Sequence, residues 1–186
     1  MQNRLILCIV GLPGSGKTFA GKLIKKHTGA YMISSGDIIR EEVKSRGLKY
    51  SPTADAAVAA WFHEDGRWKA IVDKTWNRIK RRKERVVVID GFRSPEEIAY
   101  LEELSGIKPI IIATTASFAV RAKREIERGR FGKEESLEYL RSRDRAERSR
   151  GEGKLIRRAK YNISNTGTVA QLEKRVVSLV KKLGKM

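Results

Sequence analysis

The chain has 186 residues, with 40 Lys and Arg against 22 Asp and Glu and a formal net charge of +18. That length suits a single domain spanning 1–186, and no apolar run reaches the roughly 18 residues of a membrane-crossing helix, so no membrane partner is expected. One cysteine (Cys8) and two histidines (His27 and His63) exclude an internal disulfide framework and a Cys/His zinc cage, and suit a reducing cytoplasm.

Leu5–Val10 is a continuous apolar run leading into Gly11, the pattern of a strand buried on both faces and not of a cleaved leader. Phe19–His27 has helical spacing and is stopped by Gly29. Ala30–Ile33 predicts a second strand and Asp37–Lys44 a helix, broken at Ser51–Pro52. Ala54–Phe62 and Arg67–Lys83 predict further helices, the second carrying an apolar stripe through Trp68, Ile71, Val72, Thr75, Trp76 and Ile79. VVVID, within 85–90, is the clearest strand. Ser94, Pro95 and Glu97 form a capping-box signature for the next helix. Ile107–Ala113 predicts a fourth strand, Ser117–Arg128 and Glu134–Arg148 two helices, Tyr161–Ile163 a fifth strand, and Val169–Leu183 a closing helix. Alternating strands and helices imply a mostly parallel sheet with helices on both faces.

The charge is unevenly placed. Residues 67–85 carry nine Lys and Arg against Asp73 and Glu84, a net +7. Residues 121–160 also sum to +7, and 174–186 hold five bases and no acid. The rest of the chain sums to −1. Such an excess points to polyanionic partners as a class.

Residues 11–18 read Gly11-Leu12-Pro13-Gly14-Ser15-Gly16-Lys17-Thr18 and match G-x-x-x-x-G-K-S/T at every fixed position. The preceding strand and following helix supply the context that this motif requires. Its glycines let successive N–H groups face a phosphate, the new helix adds its positive end, Lys17 reaches the outer phosphates of a nucleoside triphosphate, and Thr18 offers a hydroxyl to Mg²⁺. Asp90, ending VVVID, offers a carboxylate to the same metal, or ends the strand in an ordinary turn. Cys8 reads as a packing thiol.

Two further motifs fall at strand ends, where a doubly wound sheet places ligands. ISSGDIIREE (33–42) presents Ser35, Gly36, Asp37 and Arg40; IDGFRS (89–94) presents Gly91 and Arg93. Asp37 suits a general base or a helix cap. Arg40 and Arg93 offer two guanidinium forks for a phosphate or carboxylate.

On these residues the sequence resembles the P-loop nucleoside monophosphate kinases. SSGDIIR is similar to the adenylate kinase S-T-G-D-x-x-R segment, and IDGFRS to that family's D-G-F-P-R-T without its proline. AKYNISNTG (159–167) resembles a dephospho-CoA kinase strand, with Lys160 where that family has Asp, and it adds Asn165 to the nucleotide site. DGFRSPEE, RDRAE and ISNTG look closest to an uncharacterised archaeal group of adenylate-kinase-related proteins. The resemblance implies a three-layer α/β/α fold with a central five-stranded parallel sheet. It further implies a helical acceptor-binding insert at 36–84, a short arginine-rich lid at 128–150, and ATP with Mg²⁺ as cofactors. By the same resemblance Arg40 and Arg93 hold the acceptor's phosphate. The 45–66 stretch, with AVAAWFHEDGRW, matches no standard acceptor-reading segment, and the acceptor base stays open.

Nine arginines lie between Arg121 and Arg150. Guanidiniums brought over a transferring phosphoryl group offset the charge spread over its oxygens. Arg128 and Arg143 are preferred by resemblance; the other reading pairs these arginines with Glu125, Glu127, Glu134, Glu138 and Glu147. Gly129 and Gly132 flank Phe131 at the expected hinge.

Three functions follow. The first is a kinase passing the γ-phosphoryl of ATP to a nucleotide-like acceptor such as a nucleoside monophosphate, with Lys17, Asp37, Asp90, Arg128 and Arg143 as its reacting machinery. The second is an ATPase associated with RNA or ribosome assembly through residues 67–85 and 174–186. The third is a nucleotide-binding regulator without turnover.

Overall fold

The computed structural model describes residues 4–184. In chain order the elements are β1 (Leu5–Val10), α1 (Lys17–Thr28), β2 (Tyr31–Ser34), α2 (Ser35–Ser45), α3 (Pro52–His63) and α4 (Trp68–Ile79). There follow β3 (Val86–Asp90), α5 (Pro95–Ser105), β4 (Ile110–Thr115), α6 (Phe118–Glu127), α7 (Lys133–Arg150), α8 (Glu152–Arg158), β5 (Tyr161–Ser164) and α9 (Val169–Leu183).

The five strands form one parallel sheet in the order β2-β3-β1-β4-β5. β1 is central, as its unbroken apolar run requires. Its residues divide by parity: Ile6, Cys8 and Val10 join one core cluster with Ile71, Phe62 and Leu101, while Leu7 and Ile9 join another with Ile24, Leu172 and Val176. Helices α2–α5 and α8 therefore cover one face, and α1 and α9 the other. The register pairs Ile9 with Asp90 and Ser34 with Asp90, so the carboxyl ends of β1, β2 and β3 meet at one edge. This is the expected architecture.

Three elements depart from expectation. The helix predicted over 67–83 ends at Ile79. Beyond it the run Lys80–Lys83 has four like charges and no apolar residue to bury. Arg4 terminates the helix there, donating to the carbonyl oxygens of Ile79, at 3.2 Å, and Arg82. β4 starts at Ile110, not at residue 107, because Pro109 has no N–H for the ladder. Ser105 also holds Ile107 in a turn, accepting its N–H at 3.1 Å. Finally, α8 is a helix where none was expected.

Elsewhere the local signals act as read. Ser94 and Glu97 form the capping box of α5. Ser51, read as a break, is the N-cap of α3, with Pro52 in its first turn. Cys8 is fully buried, and burial raises its thiol pKa well above the usual value, which keeps it a packing group. Trp61, Trp68 and Trp76 pack against the core, and Trp61 is covered by the guanidiniums of Arg46 and Arg67 at 4.0 and 4.6 Å.

Candidate active site

The glycine-rich loop joins β1 to α1, and each of its carbonyl oxygens has a donor. Lys17 Nζ donates to Gly11, and Ser15 N–H to Leu12 at 3.1 Å. Arg121 reaches Pro13 at 3.0 Å, Arg124 reaches Gly14 at 3.1 Å, and Asn165 Nδ2 reaches Ser15 at 2.8 Å. Ala20 N–H closes the first helical bond to Gly16 at 2.9 Å. With its carbonyl edge engaged, the loop offers an anion its amide edge and the start of α1. Gly16 has φ +96°, and a Cβ there would lie 2.2 Å from Asn165 Nδ2. Only glycine lets Asn165 brace the loop so closely.

The hydroxyl of Thr18, in the first turn of α1, donates to Asp90 at the end of β3 at 2.5 Å. Among the described residues no group of three or more His, Cys, Asp or Glu forms a metal cage. A hydroxyl beside one carboxylate fits Mg²⁺, which takes few protein ligands and completes its shell with water and phosphate oxygens. Thr18 and Asp90 are the residues that would hold it.

Next to the loop lies a buried charge cluster. Glu147 of α7 is 1% exposed. Arg143 donates to it at 2.9 Å, Arg93 lies at 3.6 Å and Lys17 at 4.0 Å. Burial alone would raise the pKa of Glu147, but the charges of Arg93, Lys17 and Arg143 outweigh it and hold the carboxyl below its usual range. The second oxygen of Glu147 and one terminal nitrogen of Arg93 have no hydrogen-bond partner. Three cations from the loop, the β3–α5 turn and α7 thus converge on one carboxylate. Glu152, at the start of α8, accepts the Gly11 N–H and is fully buried. Its pKa is pushed up to about 7 by burial, against the pull of Lys17 and Arg93.

The cleft around this cluster has a volume near 760 Å³ and brings together most of the expected residues. Lys17, Thr18, Asp90, Gly91, Arg93 and Arg143 line it beside Pro13, Gly14 and Gly16. Gly36, Asp37, Arg40 and Arg128 line its rim side. Arg40 is paired with Asp37 at 2.5 Å, and both are about half exposed. Arg128 is half exposed and paired with Glu125 at 2.9 Å. Ser35 sits deeper, in an inner cavity behind Gly36 and Gly91. Asn165 belongs to the far side of the loop, where it lines a shallow pocket with Arg124, Gly167 and Val169.

Five of the nine lid arginines fall into two groups. Arg121 forms a two-pronged pair with Asp144 at 2.7 Å while holding Pro13, and Arg124 ties Gly14 to Asn165, so both brace the loop. The acid-pairing reading holds for Arg128, Arg130 and Arg143, which meet Glu125 or Glu147. Residues 133–150 form one continuous helix, which leaves 128–132 as the non-helical joint. Sequence reasoning overlooked Asp55, Glu152 and the deep position of His63, and took Glu147 only as one acid among several.

A strand-loop-helix phosphate cradle on a five-stranded parallel sheet, with cations gathered at the strand ends, defines a P-loop kinase fold. The chain matches the family model described as an AAA domain over residues 10–150. It is 32% identical over 181 residues to a UPF0200 protein of Hyperthermus butylicus, covering 97% of this chain and 96% of that one. It is 36% identical over 179 residues to a UPF0200 protein of Pyrobaculum aerophilum, covering 96% and 98%. The chain belongs to the UPF0200 family. Among solved structures, shikimate kinase from Acinetobacter baumannii in complex with shikimate superposes with a TM-score of 0.57 at 17% identity, covering 97% of this chain and 95% of that one. A gluconokinase from Sinorhizobium meliloti gives 0.54 at 18%, covering 98% and 94%. Those likenesses establish the fold. Among the described residues no helix is long and apolar enough to cross a membrane.

Proposed function

We propose that the chain is an ATP-dependent phosphotransferase acting on a small-molecule acceptor. The convergence of Lys17, Arg93 and Arg143 on one buried point supports this reading most directly. A nucleotide binder without turnover needs Lys17 and the loop. It does not need two further guanidiniums from elements beside a second cavity. Charge spreads over the phosphoryl oxygens during transfer, and cations already in place offset it without reorganising. Glu147 pairs with all three cations at that point and holds them together.

When bound at Thr18 and Asp90, Mg²⁺ would neutralise charge on the outer phosphates. The chain's own residues do the rest. The loop amides and α1 orient the triphosphate, Asn165 and Arg124 fix the loop, and Arg93 and Arg143 face both the donor cleft and the inner cavity. Asp37 and Arg40, tied together at the rim, are placed to meet an acceptor entering from solvent. A nucleoside monophosphate, the acceptor implied by sequence resemblance, is the first to test, followed by dephospho-CoA, small hydroxy acids and sugar phosphates.

With ATP·Mg²⁺, the expected result is transfer to at least one acceptor class. Asp90→Asn should lower that rate by about 10²-fold or more while nucleotide-induced thermal stabilisation largely survives. Stabilisation by ATP with no transfer to any acceptor would favour the regulator reading instead.

A further inference from the structure

Behind the charge cluster lies the inner cavity, of about 270 Å³, between α2, α3, α7 and the β3–α5 turn. α3 contributes its smallest side chains there, Ala56, Ala59 and Ala60, with Ile39 and Ile71 as apolar walls. That is near the lower end of the roughly 300–1,000 Å³ of small-molecule sites, so the cavity suits a small compound.

Its polar groups are mismatched among themselves. Arg93 has a buried terminal nitrogen without a partner. Arg150 lines the same cavity and enters no ion pair among the described residues, unlike Arg143 beside it. His63 lies with them, its pKa lowered to about 4 by burial and by the charges of Arg150 and Arg93. Arg150 is itself shifted down, by burial first and then by Arg93. Three nitrogen-bearing side chains thus share one end of the cavity. The acids facing them are Glu147, already shared by three cations, and Glu97, already engaged by the N–H groups of Arg93 and Ser94. Asp55 of α3 has a buried carboxylate oxygen with no partner, and it lines both the inner cavity and the donor cleft. Buried forks and carboxylates left unpaired are costly unless a ligand completes them.

We propose that this cavity is a subsite for the anionic end of a small hydroxylated acceptor, its carboxylate or phosphate held by Arg93 and Arg150 and its hydroxyl held by Asp55. This rests on the phosphotransferase reading and sharpens it. Arg150 lines the inner cavity but not the donor cleft, whereas Arg93 lines both, so an anion shared by the two sits on the inner side and is not the group that reacts. A nucleoside monophosphate would carry its phosphate at the reacting position and leave the Arg150 guanidinium facing an uncharged base. In the transfer, the acceptor's hydroxyl oxygen bonds to the γ-phosphorus. The bond to the bridging oxygen breaks, its electron pair leaves on the diphosphate, and the hydroxyl proton passes to Asp55.

The test is ligand-observed NMR titration of the full chain, saturated with a non-hydrolysable ATP analogue and Mg²⁺ to block the glycine loop. The probes are glycerate, glycerol 3-phosphate, inorganic phosphate and, as the neutral control, glycerol. Glycerate or glycerol 3-phosphate should bind saturably and glycerol should not; which of the two binds tighter separates a carboxylate site from a phosphate site, and inorganic phosphate reports the anion alone. Arg150→Gln should weaken the anionic probes about tenfold or more, Arg150→Lys less so, with affinity for the ATP analogue as the control for folding. Equal binding of the probes to wild type and Arg150→Gln, no saturable binding of any anionic probe, or displacement of the probes by added analogue would overturn the subsite. If the analogue itself does not bind, the phosphotransferase reading falls, and the same wild-type and Arg150→Gln comparison without nucleotide still decides the subsite.

Discussion

Glu147 and Glu152 stand on either side of Gly151, both almost fully buried, and the protein treats their protons in opposite ways. Arg143 donates to Glu147, and with Lys17 and Arg93 it keeps that carboxyl ionised. Glu152 touches the Gly11 N–H and leaves its other oxygen unpartnered, so burial dominates and its pKa rises from 4.5 to about 7. A carboxyl with a raised folded pKa binds its proton more tightly in the folded than in the unfolded chain. Its contribution to stability is therefore complete below about pH 4.5 and is lost as pH rises through about 7. Glu152→Gln keeps an acceptor for the Gly11 N–H and has no charge to bury. At pH 8 the variant should be more stable than wild type by about 1–3 kcal/mol. At about pH 4, below the unfolded value, the two should nearly coincide in denaturant titrations. A gap of the same size at both pH values would show that ionisation of Glu152 is not its source.

The helix α8 shows what the sequence conceals. The strands, the glycine loop, the α5 capping box and the helix stop at Gly29 were legible because each is written in neighbouring residues. α8 has only seven residues, begins at a glycine without a side-chain cap, and shares its sequence with the tail of a basic run. Its existence depends on Leu155 packing in the core and on Glu152 reaching Gly11, a contact across 141 positions. The cation cluster was hidden for the same reason: Lys17, Arg93 and Glu147 meet only once β1, the β3–α5 turn and α7 are assembled. Asp37 and Arg40 stood out because they lie in a motif; Asp55, in none, did not, and Arg150 was one of nine lid arginines with nothing to set it apart. The junction of α7 and α8 turns at Gly151, with φ +112°, where a Cβ would lie 2.9 Å from Pro95 Cδ and 3.6 Å from the Arg93 carbonyl oxygen. Gly151→Ala should therefore destabilise the protein by about 1–3 kcal/mol and lower its Tm by several degrees. Because the strain falls on the turn carrying Arg93, affinity for ATP should drop as well. An unchanged Tm would mean that the junction relaxes freely and does not hold the two carboxylates in place.

At the scale of the whole molecule, the charge of +18 divides by location. Much of the 121–160 block is absorbed locally, in loop braces and pairs with Glu125, Asp144 and Glu147. The other two segments are not. In 67–85, Lys74 and Arg78 pair with Glu42 and Glu41, but Lys80, Arg81 and Lys83 are exposed and make no ion pair among the described residues. In 174–186, of which Lys185 and Met186 lie outside the described residues, Lys174, Lys181 and Lys182 stand likewise. α4 packs on the Ile6 and Cys8 face of the sheet and α9 on the Leu7 and Ile9 face, so these are two separate patches and not one groove. If RNA is a partner, it meets three free cations on either face. For a single strand, log K falls with log salt by about 0.7 per neutralised phosphate, giving a slope of about −2 for one face and about −4 for a strand wrapping both. Reversing Lys80, Arg81 and Lys83 to Glu should remove about 2 from the wrapped slope and leave the α9 contribution intact. Nucleotide affinity, governed by a cleft that neither patch lines, should not change. Affinity for single-stranded RNA that is indifferent to salt would remove these segments as its binding surface and leave their charge to solubility alone.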